Sequence, residues 1–458
     1  MPSRPDLWQE LSSAMAQDGF LPAGTLVFFA AVAHAFLSPS IVRLGREGAR
    51  QGRLKSVLLH LLGEVELVFV LWSFVLVLLM ACWPGKGWAF AARYLATGDY
   101  SADVAQGPSK YVEPVFVFVI MVMAASKPVM SLAAGVLGRV ARWLGGSPAA
   151  HWFVVLTLAP LSGSLITEPA AMTIGAMLLS TQFYRLKPSE PLRYATLALL
   201  FVNISVGGSL THFAAPPVVM VAAKWGWGLK EVFAQFGVAA LASILVSNLL
   251  YLAWFRRELA ALRPSSEPET TEPPVPAWVV VVHLACMVWT VLMLAAHQLP
   301  MILLGLVGFR LFVAATARWQ PAPGWRGPAL VGLFLAGLVL LGGVQGWWIA
   351  PVLGRLGQGA LLVVSTVLTS FNDNAAVTYL AAQVPLFVVP GVQAEGLRHA
   401  VMAGALAGGG LTVVANAPNP AGQSILAPWF PRGISGGRLL VWALVPTLVA
   451  LGCFIWVR

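Results

Sequence analysis

Thr167-Glu168-Pro169-Ala170-Ala171-Met172-Thr173 lies in the first half of the chain, and Asn372-Asp373-Asn374-Ala375-Ala376-Val377-Thr378 lies in the second. Each sets a carboxylate in the middle of a long apolar run. A second matched pair follows: Gly207-Gly208-Ser209-Leu210-Thr211 recurs as Gly408-Gly409-Gly410-Leu411-Thr412. The chain therefore reads as two copies of one unit, each with an acidic tip and a glycine-rich break. An ionisable residue at membrane depth is costly, and by default it marks an ion or proton path.

Composition agrees. Of 458 residues, 58% are hydrophobic and only 10% are charged, and the mean hydropathy is +0.80. A soluble domain carries about 25% charged residues. The net charge of +10 does not point to nucleic acid, because Lys and Arg gather in short loops between apolar runs, as the positive-inside bias requires. Cys82, Cys286 and Cys453 sit in apolar runs without paired spacing, so neither a disulfide framework nor a metal site is expected. Residues 1–20 lack a basic-then-apolar leader, so the first spanning helix is expected to direct insertion. An integral, multi-pass protein follows, with a bacterial inner membrane as the expected location.

Runs of roughly 20 apolar residues, long enough to span a bilayer, fall near 20–39, 56–82 and 113–135. A run from 149 to 182 is interrupted by Pro160, Ser162, Gly163, Ser164, Thr167, Glu168 and Pro169. Spans near 194–222 and 231–256 close the first half, and a hydrophilic linker covers 257–276. The second half repeats the order: 277–296, 299–317, 328–348, an interrupted run at 354–386, then 399–427 and 437–457. Arg43, Arg46, Arg50, Arg53 and Lys55 place the first loop in the cytoplasm. Arg139 and Arg142 before the first interrupted run, and Arg185, Lys187 and Arg193 after it, then share that side, so the run is a re-entrant hairpin. Arg256, Arg257, Arg263, Arg318 and Arg326 are also inside, and the second hairpin opens outside. The prediction is an all-α polytopic membrane protein: an inverted repeat of five spanning helices plus one re-entrant hairpin each. Such repeats place transport sites near the midplane, where broken helices meet. The expected divisions are 20–148 and 277–353 as scaffold helices, and 149–256 and 354–458 as hairpin and broken-helix units.

A hairpin tip at mid-depth leaves backbone groups without helical partners, so it must be buried in protein or line a watery cavity. Free carbonyls and Ser, Thr and Asn oxygens suit a hard cation such as Na⁺. The first tip offers Ser162, Ser164 and Thr167; the second offers Thr369, Ser370, Asn372 and Asn374. The breaks contribute Gly207, Ser209 and Thr211, and Thr412, with Asn203, Asn416 and Asn419 adding amide oxygens. Pro216-Pro217, and Pro418 with Pro420, keep the breaks open. Each half is expected to clamp a cation between its tip and its break. Glu168 and Asp373 are the proton- and cation-coupling candidates. Desolvation favours the protonated carboxyl and a bound cation favours the ionised one. The two ligands therefore compete for one group, and competition coupled to a conformational change gives Na⁺/H⁺ exchange. Both acids also stand where a helix cap would use them, and the roles are compatible. His212, beside the first break, is a packed histidine by default and a candidate pH sensor because its charge changes near neutrality. Glu64, Glu66 and Arg310 read as fixed scaffold charges.

At Ser164-Leu165-Ile166-Thr167-Glu168-Pro169 and Phe371-Asn372-Asp373-Asn374 the chain resembles the ion transporter superfamily. That group includes D-type sodium/proton antiporters, arsenite efflux pumps and sodium/dicarboxylate symporters. The likeness is strongest over 149–256 and 354–457, and nearest to its Na⁺/H⁺ antiporter branch. The resemblance implies a homodimer in which a mobile transport domain moves as an elevator against a scaffold. The dicarboxylate branch carries Ser-Asn-Thr at its tips, whereas this chain has Ile166-Thr167-Glu168 and Asn372-Asp373-Asn374. Two carboxylates would repel a dianion. A sodium-coupled symporter, or an efflux protein for a small anion or oxyacid, is the second reading. An intramembrane enzyme is the third, on the strength of Gly433-Ile434-Ser435-Gly436-Gly437. That nucleophile-elbow match needs a strand–turn–helix setting and here falls in a basic loop, so no enzyme is expected. No cofactor is expected, Na⁺ enters as the transported ion, and the partners are lipid, Na⁺ and H⁺.

Overall fold

The structure, a computed structural model, describes residues 6–47, 64–100, 109–263, 274–388 and 391–457. Arg50, Arg53, Lys55 and half of the hydrophilic linker, 264–273, lie outside the described residues, as does the Glu66 side chain. Among the described residues every regular element is helical. Six helices are long and apolar enough to cross a membrane, or up to eight if two bent pairs each count as one. The protein is an all-α, multi-pass membrane protein.

The chain runs through α1 (Leu7–Gln17), α2 (Phe20–Glu47), α3 (Val65–Cys82), α4 (Gly87–Thr97), α5 (Val112–Ala124) and α6 (Lys127–Trp143). Then come α7 (Pro148–Ile166), α8 (Glu168–Gln182), α9 (Glu190–Gly207), α10 (Pro216–Trp225) and α11 (Leu229–Trp254). After the linker, α12 (Ala277–Ala295), α13 (Leu299–Ala315), α14 (Arg326–Gly343) and α15 (Gly346–Leu353) precede α16 (Gln358–Phe371) and α17 (Asn374–Ala381). The last are α18 (Val392–Gly408), α19 (Asn419–Leu426) and α20 (Gly436–Trp456).

Local sequence explains the boundaries. Ser147 and Ser189 accept hydrogen bonds from Ala150 and Leu192 N–H, and a proline follows each in the first helical turn. That is the residue order a helix start favours. The helix ends that matter here are those at Ile166, Gly207, Phe371 and Gly408, where the hairpin turns and the glycine-rich breaks begin. Three elements depart from the spans read off hydropathy. The expected span 113–135 is two helices, α5 and α6, bent by 67°, because Ser126 is extended and Pro128, in the first turn of α6, has no N–H to continue the α5 ladder. The short helices α1 and α4 are additional, and α1 meets α2 at 107°. The span expected at 328–348 ends at Gly343 and resumes as α15.

Packing sorts the helices into two groups. α2, α3, α5, α12, α13 and α14 pack on one another. So do α7, α8, α9, α11 and α20, together with α16–α19. Around the second group the halves interlock: α19 packs on α8, and α10, which follows the first break, packs on α17. α9 is its axis, with 94% of its apolar window buried, against 28% for α12. An apolar helix buried on every side is a core helix, and one with most of its apolar surface uncovered faces lipid. At the edge of the first group the scaffold charges find local partners. Arg326 pairs with Glu64, and the Arg310 guanidinium lies 4.9 Å from the Trp325 ring centre.

Candidate cation site

The hairpin α7–α8 turns at Thr167, whose backbone has φ 76°. A β-branched residue rarely adopts that conformation, and strained backbone of this kind gathers at functional sites. The turn exposes the C-terminal carbonyls of α7 and puts Glu168 at the first position of α8. Ser164 fastens the tip to the break after α9. Its Oγ donates to Gly207 O (2.6 Å) and accepts from Leu210 N–H (2.9 Å), while Thr211 Oγ1 donates to Ser164 O (2.7 Å). The second half repeats this joint, with Thr412 Oγ1 donating to Ser370 O at 2.7 Å.

Glu168 is fully buried. Its Oε2 accepts from Asn416 Nδ2 at 2.9 Å, a contact between the first tip and the second break. Its carboxylate lies against the Cα of Gly208, where a Cβ would stand 2.4 Å from Oε1. Only glycine allows that approach. Asn374 and Gly409 repeat the arrangement: a Cβ on Gly409 would stand 3.1 Å from Asn374 Nδ2 and 2.1 Å from Ser205 Oγ. Asn374 Nδ2 also approaches Ser205 Oγ (3.4 Å), which donates to Leu406 O (2.8 Å). Asn419 Nδ2 donates to Gly409 O (2.8 Å) and Thr412 O (2.9 Å) and holds the second break in shape.

The repeated joints fix the correspondence between the tips. Counting four residues on from Ser164 and from Ser370 reaches Glu168 and Asn374. Asp373 is the counterpart of Thr167, one position earlier than the sequence pattern pairs it. Its environment differs accordingly. Asp373 is half-buried, and its Oδ1 accepts from Ala375 N–H at 2.8 Å as the N-cap of α17.

Buried polar atoms nearly always find partners, so those that do not call for a reason. Thr167 Oγ1, Glu168 Oε1, Thr369 Oγ1, Asn374 Oδ1, Asn416 Oδ1 and Asn419 Oδ1 are buried without a hydrogen-bond partner. All six are oxygens on the two tips and the second break, the donor set a hard monovalent cation takes. Other candidates already have hydrogen-bond partners. Ser162, Ser209 and Ser370 hydroxyls donate to carbonyls three residues back, at 2.7 Å each. Asn372 Oδ1 accepts from Asp373 N–H. Asn203 donates to Leu156 O (3.0 Å) and to Asn248 Oδ1 (2.8 Å), and Asn248 donates to Thr157 Oγ1 (3.0 Å). This buried chain ties α9 to α7 and α11. Ser205 and Asn248 are the residues the sequence pattern did not bring forward. Both carried a signal, a polar side chain in an apolar run. His212 is half-buried, edge-on to Phe213, with Nδ1 unpartnered. It lines a cavity of about 270 Å³ with Glu113, Trp227 and His297. Among the described residues no three His, Cys, Asp or Glu side chains converge to hold a metal.

Buried polar chemistry at helix breaks in a multi-pass helical protein defines a membrane transporter. More narrowly, residues 20–457 match the family described as "Putative Na+/H+ antiporter". The chain belongs to that family, and it is a secondary transporter of the Na⁺/H⁺-antiporter-like superfamily, not an enzyme. The YdaH transporter of Alcanivorax borkumensis, whose crystal structure is described as revealing an unusual topology, is similar at 12% identity and a TM-score of 0.49. That match covers 86% of this chain and 97% of YdaH. No curated protein matches the chain.

Proposed function

We propose that the protein exchanges Na⁺ for H⁺ across the membrane, with Glu168 as the group for which the two ions compete. The observation that carries this reading is the pair of environments on one carboxylate. Oε2 is held by Asn416, Oε1 is buried and unpartnered, and five further oxygens on the two tips and the second break are also buried and unpartnered. A proton on Oε1 removes the cost of an unpaired buried charge, and so does a cation bound among those oxygens. Either loaded form is close to neutral and can cross; the empty, charged form is held back. Asp373 enters as a capping group, and the Ser164–Thr211 and Ser370–Thr412 joints keep tips and breaks together.

The same reading takes the halves as an inverted repeat and 149–256 with 354–458 as the moving unit, carried against 20–148 and 277–353 within a homodimer. Its support is the division of packing into two groups and the recurrence of the hairpin–break joint. The test is a proteoliposome holding a trapped pH dye. External Na⁺ should make the lumen more alkaline, and Glu168→Gln should remove the signal from a protein that still purifies as a folded species. Uptake of a labelled organic acid with Na⁺, without any pH change, would replace exchange by sodium-coupled symport.

A further inference from the structure

The two tips are equivalent in backbone and unequal in charge. Glu168 packs on Gly208, Asn374 packs on Gly409, and both side chains are completely buried with one oxygen unpartnered. Ser205, which touches Asn374, and Gly208, which touches Glu168, are three residues apart on one helical stretch and so face the same way. The two tips thus converge on one crossing that carries a single ionic ligand. From this we infer that Asn374 sets the capacity of the site: the protein holds one positive charge per chain, a single monovalent cation, where a repeat with an acid at both positions would hold two. This rests on the cation-exchange reading above and adds the count and the residue that fixes it.

The physical argument is charge balance at low dielectric. One Na⁺ beside one carboxylate is a neutral pair with neutral oxygens to complete its shell. A second Na⁺, or a divalent ion, would leave an uncompensated buried charge, which costs several kcal/mol or more even after relaxation. The amide of Asn374 offers an oxygen but no charge to offset that. Asp373 does not supply it, because its Oδ1 is committed to the Ala375 N–H and the residue is half-exposed. An ion beside it would be balanced largely by water.

The experiment is equilibrium binding of radiolabelled Na⁺ and Ca²⁺ to the purified full-length protein in mildly alkaline buffer. Wild type should saturate at one Na⁺ per chain and take no Ca²⁺. Glu168→Gln should lose Na⁺. Asn374→Asp should gain one positive charge, as a second Na⁺ or as one Ca²⁺. The double variant Glu168→Gln/Asn374→Asp keeps the wild-type number of buried acids and should return to one Na⁺; it decides the matter if Asn374→Asp alone does not fold. Two Na⁺ per wild-type chain, or a folded Asn374→Asp that still holds one Na⁺ and no Ca²⁺, overturns the count and leaves exchange standing. A double variant that folds and binds nothing also overturns it. Complete absence of Na⁺ binding to wild type overturns exchange and count together.

Discussion

Asn416 and Glu168 are joined by a buried hydrogen bond of 2.9 Å that links the break of the second half to the tip of the first. Among the described residues the amide is the only side-chain hydrogen-bond partner of the Glu168 carboxylate. It holds Oε2 without adding charge and leaves Oε1 for a proton or a cation.

Removing that amide should weaken cation binding while exchange continues. A hydrogen bond to a charged group contributes about 1.5–3 kcal/mol, so Asn416→Ala should raise the half-saturating Na⁺ concentration by about tenfold or more. A Na⁺ titration of the proteoliposome pH signal measures it. An unchanged half-saturation would remove Asn416 from the site.

A methyl group at Gly208 tests the position of the carboxylate. Its Cβ would fall 2.4 Å from Glu168 Oε1, so Gly208→Ala must push the side chain out of place. Exchange should be lost in a protein that remains monodisperse by size-exclusion chromatography. Gly138, inside α6 with nothing within 4 Å of an added Cβ, is the control. Gly138→Ala should keep exchange and gain up to about 0.5–1 kcal/mol of stability.

The two acids should separate in their effects. Asp373 caps α17, and asparagine caps as well as aspartate. Asp373→Asn should therefore keep thermal stability near wild type, whereas Asp373→Ala should lose about 1 kcal/mol. Exchange by Asp373→Asn should fall far less than by Glu168→Gln, because Asp373 is a half-exposed capping group whereas Glu168 is fully buried. Thermal unfolding and the dye assay on the same preparations give both readings. Equal loss from both variants would restore Asp373 to an equal part.

Asp18, at the α1–α2 junction outside the spanning helices, gives a pH prediction. Partial burial acts to raise its carboxyl. Hydrogen bonds from Lys86, Tyr100 and Phe20 N–H, with the Lys86 charge, outweigh burial and hold it below the usual 3.8. A carboxyl depressed in the folded state adds stability above its unfolded value and loses it as pH falls through the folded value. The gap in unfolding temperature between wild type and Asp18→Asn should be widest above pH 3.8 and should close as the pH drops further. A gap that does not change with pH would mean the contact is packing alone.

Sequence alone determined that the chain lives in lipid, because 58% hydrophobic residues in recurrent runs permit little else. It also located the tips and breaks: proline, paired glycines and an acid within an apolar run are local signals, and each carries its own backbone consequence. The joints Ser164–Thr211 and Ser370–Thr412 fall on residues already conspicuous by type. What sequence left open was register. Asn372, Asp373 and Asn374 are polar in succession, so any of them could be matched to Glu168 by eye. The repeated joints, with the closeness of Gly409 to Asn374 repeating that of Gly208 to Glu168, make Asn374 the counterpart, while Asp373 caps α17. The Asn416–Glu168 bond was illegible for the same reason. It joins residues from different halves, and no spacing along a chain encodes a contact that exists only once α19 packs on α8. Local chemistry can be read residue by residue, whereas the identity of a buried charge's partner is set by packing.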